Sequence, residues 1–267
     1  MKNLTGRVAL ITGGLSGIGY AIAERYVSED AAVMLVDLVD PSDPKVAATL
    51  DRLGAKATYV KVDVRREEDW QAAERAVRAQ HGRLDILVNN AGIDCVGAVE
   101  TLELSRWRNI MSVNVDGVFL GTKTVTPLLA ETGKTTRFGS SVINVSSIMG
   151  LVGYSDCSAY NASKGAVRLF TKAIAIEFAT KRMPIRANSI HPGFVHTPLL
   201  HTGMQRWVDQ GFFKTTQEII DRLAVATPNG RLADPSEVAG VAYFLASDDS
   251  SYVTGSELVV DGGWTAQ

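Results

Sequence analysis

Residues 12–19 read Thr-Gly-Gly-Leu-Ser-Gly-Ile-Gly and directly follow a short apolar run, Val8–Ile11. A glycine-rich turn between a strand and a helix can present free backbone N–H groups and the positive end of the helix dipole to a phosphate. Gly13 permits a sharp turn, Gly17 permits close approach of the backbone to a phosphate, and Gly19 lets the helix pack closely on the strand. The stretch therefore predicts a strand–turn–helix unit that binds a pyrophosphate.

Short apolar runs alternate with longer segments of helical periodicity along the chain. The runs are apolar at consecutive positions, which is typical of parallel strands covered by helices on both faces. Such repetition predicts an α/β fold with a doubly wound parallel sheet. No Pro/Gly/Ser-rich linker divides residues 1–267, so we expect a single domain. The predicted strands are Val8–Ile11, Ala32–Val36, Thr58–Val62, Ile86–Val88, Ser141–Val145, Ile185–Ile190 and Leu258–Val260, and the predicted helices are Gly17–Glu29, Pro44–Leu53, Glu67–Gln80, Leu104–Ala130, Ser158–Thr180 and Pro235–Leu245.

One segment, from Thr197 to about Ala226, departs from this alternation. It is rich in large apolar residues such as Trp207 and Phe212, but its polar residues leave neither a strand pattern nor a simple amphipathic stripe. Two interpretations stay open. The segment is either an extra pair of helices packed on the sheet or a mobile lid over a substrate, since long insertions after a strand often cap sites.

Composition excludes several classes of protein. The 27 Lys and Arg residues nearly balance the 29 Asp and Glu residues, and no basic run occurs, which argues against a nucleic-acid-binding surface. Cys95 and Cys157 are the only cysteines and form no CxxC motif, so a disulfide framework and a cysteine-ligated metal site are not expected. No signal-peptide pattern and no long apolar stretch occur. We therefore expect a cytoplasmic protein without membrane or nucleic-acid partners.

Two carboxylates follow the second and third predicted strands. Asp37 can accept hydrogen bonds from an adenosine ribose and repel a 2′-phosphate, and its neighbours Leu38 and Leu15 are apolar where a phosphate would require a cation. This favours NAD over NADP, unless Asp37 merely caps a turn. Asp63, in Val62-Asp63-Val64, either contacts the adenine amino group or caps the following helix.

Further motifs follow in order along the chain. Together with residues 12–19 they resemble the short-chain dehydrogenase/reductase family in its small, single-domain form, from about residue 4 to residue 264. The resemblance implies a Rossmann-type sheet of seven strands, a nicotinamide cofactor and often a homotetramer built on two long central helices. The motifs are Asn89-Asn90-Ala91-Gly92, Asn114 in Met-Ser-Val-Asn-Val, Ser147 in Asn-Val-Ser-Ser, Tyr160-x-x-x-Lys164, Pro192-Gly193 with Thr197, and Asp261-Gly262-Gly263.

Tyr160 and Lys164 are spaced so that they share one face of a helix. A phenol has a pKa near 10 and is a poor base at neutral pH, but a neighbouring ammonium or oxidised nicotinamide lowers the pKa of a phenol. We therefore expect Tyr160 to remove the hydroxyl proton of an alcohol and, in reverse, to protonate the oxygen of a reduced carbonyl.

Two further catalytic residues come from the resemblance. It implies that Ser147, 13 residues before Tyr160, hydrogen-bonds the substrate oxygen. Ser146 stays open as the alternative, because adjacent strand residues point to opposite faces. Asn114 is either a core residue bonded to backbone or, as the resemblance implies, part of a helix kink whose carbonyl holds a water on a proton path to Lys164.

The remaining motif residues are expected to hold NAD. Asn90–Gly92 and Val113 are placed near the adenosine, and Pro192–Thr197 near the carboxamide. The predicted cofactor residues are Gly13, Leu15, Ser16, Gly17, Ile18, Gly19, Asp37, Leu38, Asp63, Val64, Asn90, Ala91, Gly92, Val113, Tyr160, Lys164, Pro192, Gly193, Val195 and Thr197.

The predicted substrate residues are mainly apolar, which favours a hydrophobic secondary alcohol or ketone of cyclic, aryl-alkyl or steroid type. Ile185–Leu199 and Gly255-Ser-Glu-Leu are similar to bacterial hydroxysteroid and secondary alcohol dehydrogenases. A 3-oxoacyl carrier-protein reductase and a non-catalytic NAD-binding sensor or scaffold stay open as alternatives. The spacing of His191, His196 and His201 defines no metal site, and no metal is expected. The predicted substrate residues are Val96, Met149, Tyr154, Phe194, Leu200, Met204 and Trp207.

Overall fold

A computed structural model describes residues 3–267, which contain a seven-stranded sheet with every neighbouring pair parallel. The strand order is β3-β2-β1-β4-β5-β6-β7, so the sheet is built outward in both directions from the β1–β4 pair. The Rossmann-type, doubly wound fold is confirmed. The strands are β1 (Val8–Thr12), β2 (Ala32–Asp37), β3 (Ala57–Lys61), β4 (Ile86–Asn89), β5 (Ser140–Val145), β6 (Ile185–Pro192) and β7 (Glu257–Val260).

Helices cover both faces of the sheet, which explains the consecutive apolar residues in the strands. Ala9 and Ile11 pack in a core with α1, α2 and α9, whereas Val8 and Leu10 pack in a second core with α3, α5 and α6. None of the helices described is long and apolar enough to cross a membrane. The helices are α1 (Gly17–Ser28), α2 (Pro44–Leu53), α3 (Glu67–His81), α4 (Leu104–Met111), α5 (Gly117–Gly133), α6 (Ser158–Thr180), α7 (Pro198–Asp209), α8 (Thr216–Ala226) and α9 (Pro235–Ala246).

The helix predicted over Leu104–Ala130 is interrupted. A π-helical turn at Ser112–Asp116 separates α4 from α5, and Asn114 is buried in it. Such turns insert an extra residue into a helix and are frequent at functional sites. The π-turn interrupts the regular helix at Asn114, the residue where the family resemblance implies a kink.

The segment from Thr197 to about Ala226, for which the sequence left two interpretations, folds into α7 and α8. Thr197 caps α7 by accepting the N–H of Leu200, and Thr215 caps α8 by accepting the N–H of Glu218. The two helices share a small apolar core of their own, and α7 also faces the cavity described below. Some apolar residues of α7 pack against α8 and others face the cavity, so they do not form a single apolar stripe along the helix. The buried residues of this core are Met204, Ile219, Leu223 and Leu232.

Candidate active site

A cavity of about 460 Å³ lies along the carboxyl edge of the sheet. Parallel strands end at the same edge, so the segments that follow β1 to β6 all contribute to its wall. It spans the point between β1 and β4 where the strand order reverses, which is where open α/β sheets bind ligands. All predicted site residues line this cavity except Leu15, Gly19, Asn114 and Tyr154.

The glycine-rich turn leaves the N-terminus of α1 available to an anion. Ser16 stands at the N-cap, but its side chain makes no capping hydrogen bond, and the first turn contains no acidic residue. Gly17 has a φ of +53°, and a Cβ there would lie 3.3 Å from Thr197 Cγ2. A Cβ on Gly19 would lie 2.3 Å from the Gly13 carbonyl oxygen. This cradle of small residues and free N–H groups fits a dinucleotide pyrophosphate.

Asp37 presents a carboxylate to the cavity at the end of β2. Its Oδ1 accepts the N–H of Leu38 at 2.8 Å, and Leu38 is exposed. Across residues 3–267, Lys164 is the one Lys or Arg side chain that lines the cavity. A ribose diol can donate hydrogen bonds to Asp37, whereas a 2′-phosphate would meet a negative charge there.

Asp63 also lines the cavity, but Arg65 engages its carboxylate. Arg65 Nε lies 2.8 Å from Oδ1, Arg65 Nη2 lies 2.6 Å from Oδ2, and the Arg65 N–H donates to Oδ1 at 3.0 Å. Hydrogen bonding to Arg65 holds the pKa of Asp63 below its ordinary value. The side chain therefore closes a turn before α3, whose N-cap is Arg66. Its contact with adenine stays a prediction.

The Asn-Asn-Ala-Gly motif is fixed to the end of β1. Thr12 Oγ1 accepts the N–H groups of Asn90 and Ala91, each at 2.8 Å, and Asn90 Nδ2 donates to the Thr12 carbonyl at 2.8 Å. The motif thus joins the two strands on either side of the sheet's reversal point and holds the cavity floor in place.

The Asn114 side chain has a structural role. Its Oδ1 accepts the N–H of Ile93 at 2.9 Å, and its Nδ2 donates to the Ile93 carbonyl at 2.9 Å and to Ser163 Oγ at 3.1 Å. The alternative of a core residue bonded to backbone therefore describes this side chain. The role of the Asn114 carbonyl in holding a water stays a prediction.

Tyr160, Ser147 and Lys164 lie together. Lys164 Nζ is 5.7 Å from the centre of the Tyr160 ring, and both residues belong to α6. The Ser147 hydroxyl accepts the N–H of Met149 at 3.1 Å and lies close enough to Tyr160 to lower the pKa of its phenol. The Ser146 hydroxyl instead donates to the Lys164 carbonyl at 2.9 Å. Of the two adjacent serines, Ser147 is therefore the one beside the phenol.

Burial dominates the titration of this group. It raises the pKa of Tyr160 to about 12, although the hydrogen bond with Ser147 opposes the increase, and it lowers the pKa of Lys164 to about 8. Lys164 Nζ donates to the Val145 carbonyl at 2.9 Å. Desolvation is the largest influence on the pKa of Tyr160 within the chain itself. The expectation that a neighbouring ammonium and an oxidised nicotinamide lower this pKa stays a prediction.

The cavity wall beyond Tyr160 is apolar. Phe194 is part of it, and its ring packs edge-on against Trp264 at 4.8 Å and Tyr154 at 6.1 Å. Tyr154 packs against Phe194 and is not among the residues that line the cavity, so its contact with substrate stays a prediction. The other predicted substrate residues, Val96, Met149, Leu200, Met204 and Trp207, line the wall.

The chain matches, over residues 13–265, a family model described as enoyl-(acyl carrier protein) reductase. It is 41% identical over 263 residues to the 3-alpha-(or 20-beta)-hydroxysteroid dehydrogenase of Mycobacterium tuberculosis, which covers 98% of this chain and 91% of that one. It is 38% identical over 264 residues to the NADP-dependent (R)-specific alcohol dehydrogenase of Lentilactobacillus kefiri, covering 99% and 98%. The chain belongs to the short-chain dehydrogenase/reductase family.

A solved structure supports the same assignment at the level of fold. The ligand-free aldohexose dehydrogenase of Thermoplasma acidophilum superposes with a TM-score of 0.86 and 31% sequence identity, covering 100% of this chain and 96% of that one. This short-chain dehydrogenase/reductase is therefore an oxidoreductase, and its own cavity residues bear on which cofactor and substrate it takes.

Several cavity residues of this short-chain dehydrogenase/reductase were not predicted as site residues. Among them, Asp94 and Cys95 follow the Asn-Asn-Ala-Gly motif closely, and Leu223 lies on α8. Proximity to a motif could have indicated the first two, whereas Leu223 lies in a segment that periodicity did not resolve. Among residues predicted to bind cofactor, Leu15 is buried in the core and serves the turn through packing.

The histidines after the sixth strand are separated in the structure. His191 is buried, whereas His196 and His201 stack with ring centres 5.8 Å apart. Within residues 3–267 no group of three or more His, Cys, Asp or Glu side chains is arranged to hold a metal ion.

Proposed function

We propose that the protein is an NAD-dependent dehydrogenase/reductase that transfers a hydride between the cofactor and a hydrophobic secondary alcohol or ketone. The observation that carries this proposal is the continuity of one cavity. It extends from the N-terminus of α1 and Asp37, past Tyr160 and Ser147, to an apolar wall on α7. A dinucleotide and a small apolar substrate can therefore meet beside the Tyr160 phenol.

The choice of NAD over NADP rests on the residues around Asp37. The carboxylate suits a ribose 2′-hydroxyl, and Arg65, the cation beside the cavity residue Asp63, is already paired with Asp63. An NADP-binding site needs a free cation for the 2′-phosphate. The relative from Lentilactobacillus kefiri is named as NADP-dependent, so the proposal for NAD rests on the chain's own side chains and not on the relatives.

The proposed chemistry assigns one role to each polar residue. When bound, the nicotinamide ring accepts or donates the hydride and, in its oxidised form, adds a positive charge. Ser147 holds the substrate oxygen, and Tyr160 takes the hydroxyl proton in oxidation or returns it in reduction. Lys164, held by the Val145 carbonyl, keeps a cation beneath the phenol and favours phenolate. Because burial raises the pKa of Tyr160, this positive charge is needed before the phenol can act as a base.

The substrate class follows from the wall of the cavity. Aromatic and aliphatic side chains such as Phe194, Leu200 and Trp207 favour a substrate with one reacting oxygen on a cyclic, aryl-alkyl or steroid skeleton. The hydroxysteroid dehydrogenase relative supports this class.

Two other functions are distinguished by the same assay. The family model's description names a reductase of carrier-protein substrates, which keeps a 3-oxoacyl carrier-protein reductase as the second candidate. Such an enzyme needs free basic residues near the entrance, but Arg206 is paired with Asp94. An NAD-binding sensor or scaffold would bind the cofactor without turnover.

The test is to follow cofactor reduction by purified protein with a panel of cyclic, aryl-alkyl and steroid secondary alcohols, using NAD and NADP in parallel. We expect turnover of one or more panel alcohols and preference for NAD. Tyr160→Phe should lower kcat by about 10² to 10⁴-fold while leaving the Kd of NAD nearly unchanged, because only proton transfer is lost. Tight NAD binding with no turnover would favour the sensor, and turnover of 3-oxoacyl carrier protein alone would favour the reductase.

The remaining expectations concern the oligomeric state and the cellular compartment. A cytoplasmic homotetramer that meets small molecules and no nucleic acid or membrane is proposed, with α5 and α6 of neighbouring copies in contact. Exposed Phe119 on α5 and Leu169 and Ile176 on α6 support this part of the proposal.

A further inference from the structure

His191 is a buried side chain that the proposed mechanism does not use. It lies near the end of β6 and does not line the cavity. Its ring makes two hydrogen bonds: Nδ1 lies 2.9 Å from the carbonyl oxygen of Ser147, and Nε2 lies 2.9 Å from Ser189 Oγ. One of these partners is the backbone of the residue proposed to hold the substrate oxygen.

The partners determine where the ring proton resides. A carbonyl oxygen can only accept, so His191 Nδ1 must carry hydrogen and donate to Ser147. Burial lowers the pKa of His191, with Arg168 and Lys164 adding to the decrease and Glu257 and the Ser147 carbonyl opposing it. The neutral ring then accepts a hydrogen bond at Nε2 from the Ser189 hydroxyl.

The hydrogen bond from His191 to Ser147 extends the connection between β5 and β6 beyond their last backbone hydrogen bond. The last rung between β5 and β6 is donated by Ser146 N–H to the Ile190 carbonyl at 2.8 Å. Pro192 has no N–H, so β6 cannot donate a further rung from that position. The His191 ring supplies a side-chain bond from β6 to the next residue of the other segment, Ser147.

Ser147 is thereby fixed from several directions. Its carbonyl accepts the Gly150 N–H at 2.9 Å in addition to His191, and its hydroxyl accepts the Met149 N–H. The bonds from Gly150 and Met149 lie within one short turn and would move with it. The bond from His191 ties that turn to the sheet, and therefore sets where the Ser147 hydroxyl stands relative to Tyr160.

We propose that His191 is a positioning residue that holds Ser147 in place beside Tyr160 through a Nδ1–H bond to the Ser147 carbonyl. The proposal rests on the proposed function of Ser147. A displacement of a catalytic group by about 1 Å can lower a rate by about 100-fold, so loss of this one bond should be visible in kcat.

The test compares two amide variants of similar size. His191→Asn places an amide nitrogen near the position of Nδ1 and can keep the bond to Ser147, whereas His191→Gln places its amide near Nε2 and reaches only toward Ser189. We expect kcat to stay within about threefold of wild type for His191→Asn and to fall by about tenfold or more for His191→Gln, with the Kd of NAD unchanged in both. A histidine that only fills space would give equal kcat values in the two variants.

A matched pair at His81, which ends α3 away from the cavity, controls for general loss of stability. His81→Asn and His81→Gln should both keep wild-type kcat. If neither His191 variant folds, ring nitrogen chemical shifts of wild-type His191 decide: a Nδ1–H tautomer at neutral pH supports the proposal, and a Nε2–H tautomer overturns it. Wild-type protein that turns over no substrate overturns the proposed function, whereas active wild-type protein with equal kcat in the two His191 variants overturns this inference alone.

Discussion

Burial changes the pKa values of Tyr160 and Lys164 more than neighbouring charges do. The sequence predicts the proximity of Tyr160 and Lys164 from their spacing, and the structure brings them together on α6. It could not predict that desolvation raises the pKa of the phenol and lowers that of the amine, because burial depends on how β5, β6 and α7 close around them. It likewise left Ser146 and Ser147 open, since their hydrogen-bond partners lie on distant segments.

Lys164 is expected to make stability depend on pH. Its folded-state pKa of about 8 lies below the ordinary 10.5, so between these values the unfolded chain binds more protons than the folded one. Stability contributed by this group therefore rises with pH above about 8. In urea unfolding, the free energy of unfolding of wild type minus that of Lys164→Met should increase by about 2 kcal/mol between pH 8 and pH 9.5, at about 1.4 kcal/mol per pH unit. A difference independent of pH would contradict this expectation.

Asp37 is expected to set cofactor preference. Hydrogen bonds to charged groups contribute about 1.5–3 kcal/mol, so Asp37→Ser should lower kcat/KM for NAD by about 10- to 100-fold. Adding Leu38→Arg should raise kcat/KM for NADP, because a cation then faces the 2′-phosphate. Asp40→Ser, at an exposed position outside the cavity, is the control and should leave both values unchanged. Wild-type enzyme that already prefers NADP would refute the role given to Asp37.

Secondary-structure elements could be predicted from the sequence where each face of the element packs against one kind of surroundings. Every predicted strand differs from the observed one by no more than two residues at either end, because strands buried on both sides are continuously apolar. The π-turn at Ser112–Asp116 and the bounds of α7 and α8 could not be predicted. The first depends on contacts from Asn114 to Ile93, and α7 packs on both α8 and the cavity wall.

An ion pair joins α7 to the loop after β4. Arg206 Nη1 lies 2.8 Å from Asp94 Oδ1, and a Cβ on Gly203 would lie 2.8 Å from Asp94 Oδ2, so the loop and the helix meet closely. Half-exposed pairs contribute about 0.2–1 kcal/mol, so Arg206→Ala should raise KM for the alcohol by about two- to fivefold with little change in the Kd of NAD.

The control for the ion pair between Arg206 and Asp94 is Arg222→Ala. Arg222 pairs with Glu218 at 2.8 Å within α8 and lies over the Phe213 ring at 5.0 Å, but it makes no ion pair with a second element. Its loss should leave KM for the alcohol unchanged. Equal KM values for wild type and Arg206→Ala would show that α7 stays over the cavity without the ion pair.

For the molecule as a whole, the order of motifs along the chain predicts one site because parallel strands share a carboxyl edge. Five cavity residues come from the carboxyl ends of five different strands: Asp37 and Pro192 end β2 and β6, and Gly13, Asn90 and Ser147 follow β1, β4 and β5. Their convergence depends only on topology, which the alternating pattern predicts. The position of Tyr154 behind Phe194 depends instead on the packing of Trp264 from the chain's other end, which no local pattern encodes.

The proposed tetramer depends on apolar side chains that the single chain leaves exposed. Leu169 and Ile176, each 67% exposed, lie seven residues apart and so share one face of α6. Contiguous exposed apolar residues mark association surfaces. Leu169→Asp should therefore reduce the sedimentation coefficient to that of a smaller species, since assembly would bury an unpaired carboxylate. Helical circular dichroism should be unchanged because Leu169 lies outside the core. Val225→Asp, at an 88% exposed position on α8, is the control and should sediment as wild type. If wild type and Leu169→Asp sediment alike, the two central helices do not form the contact.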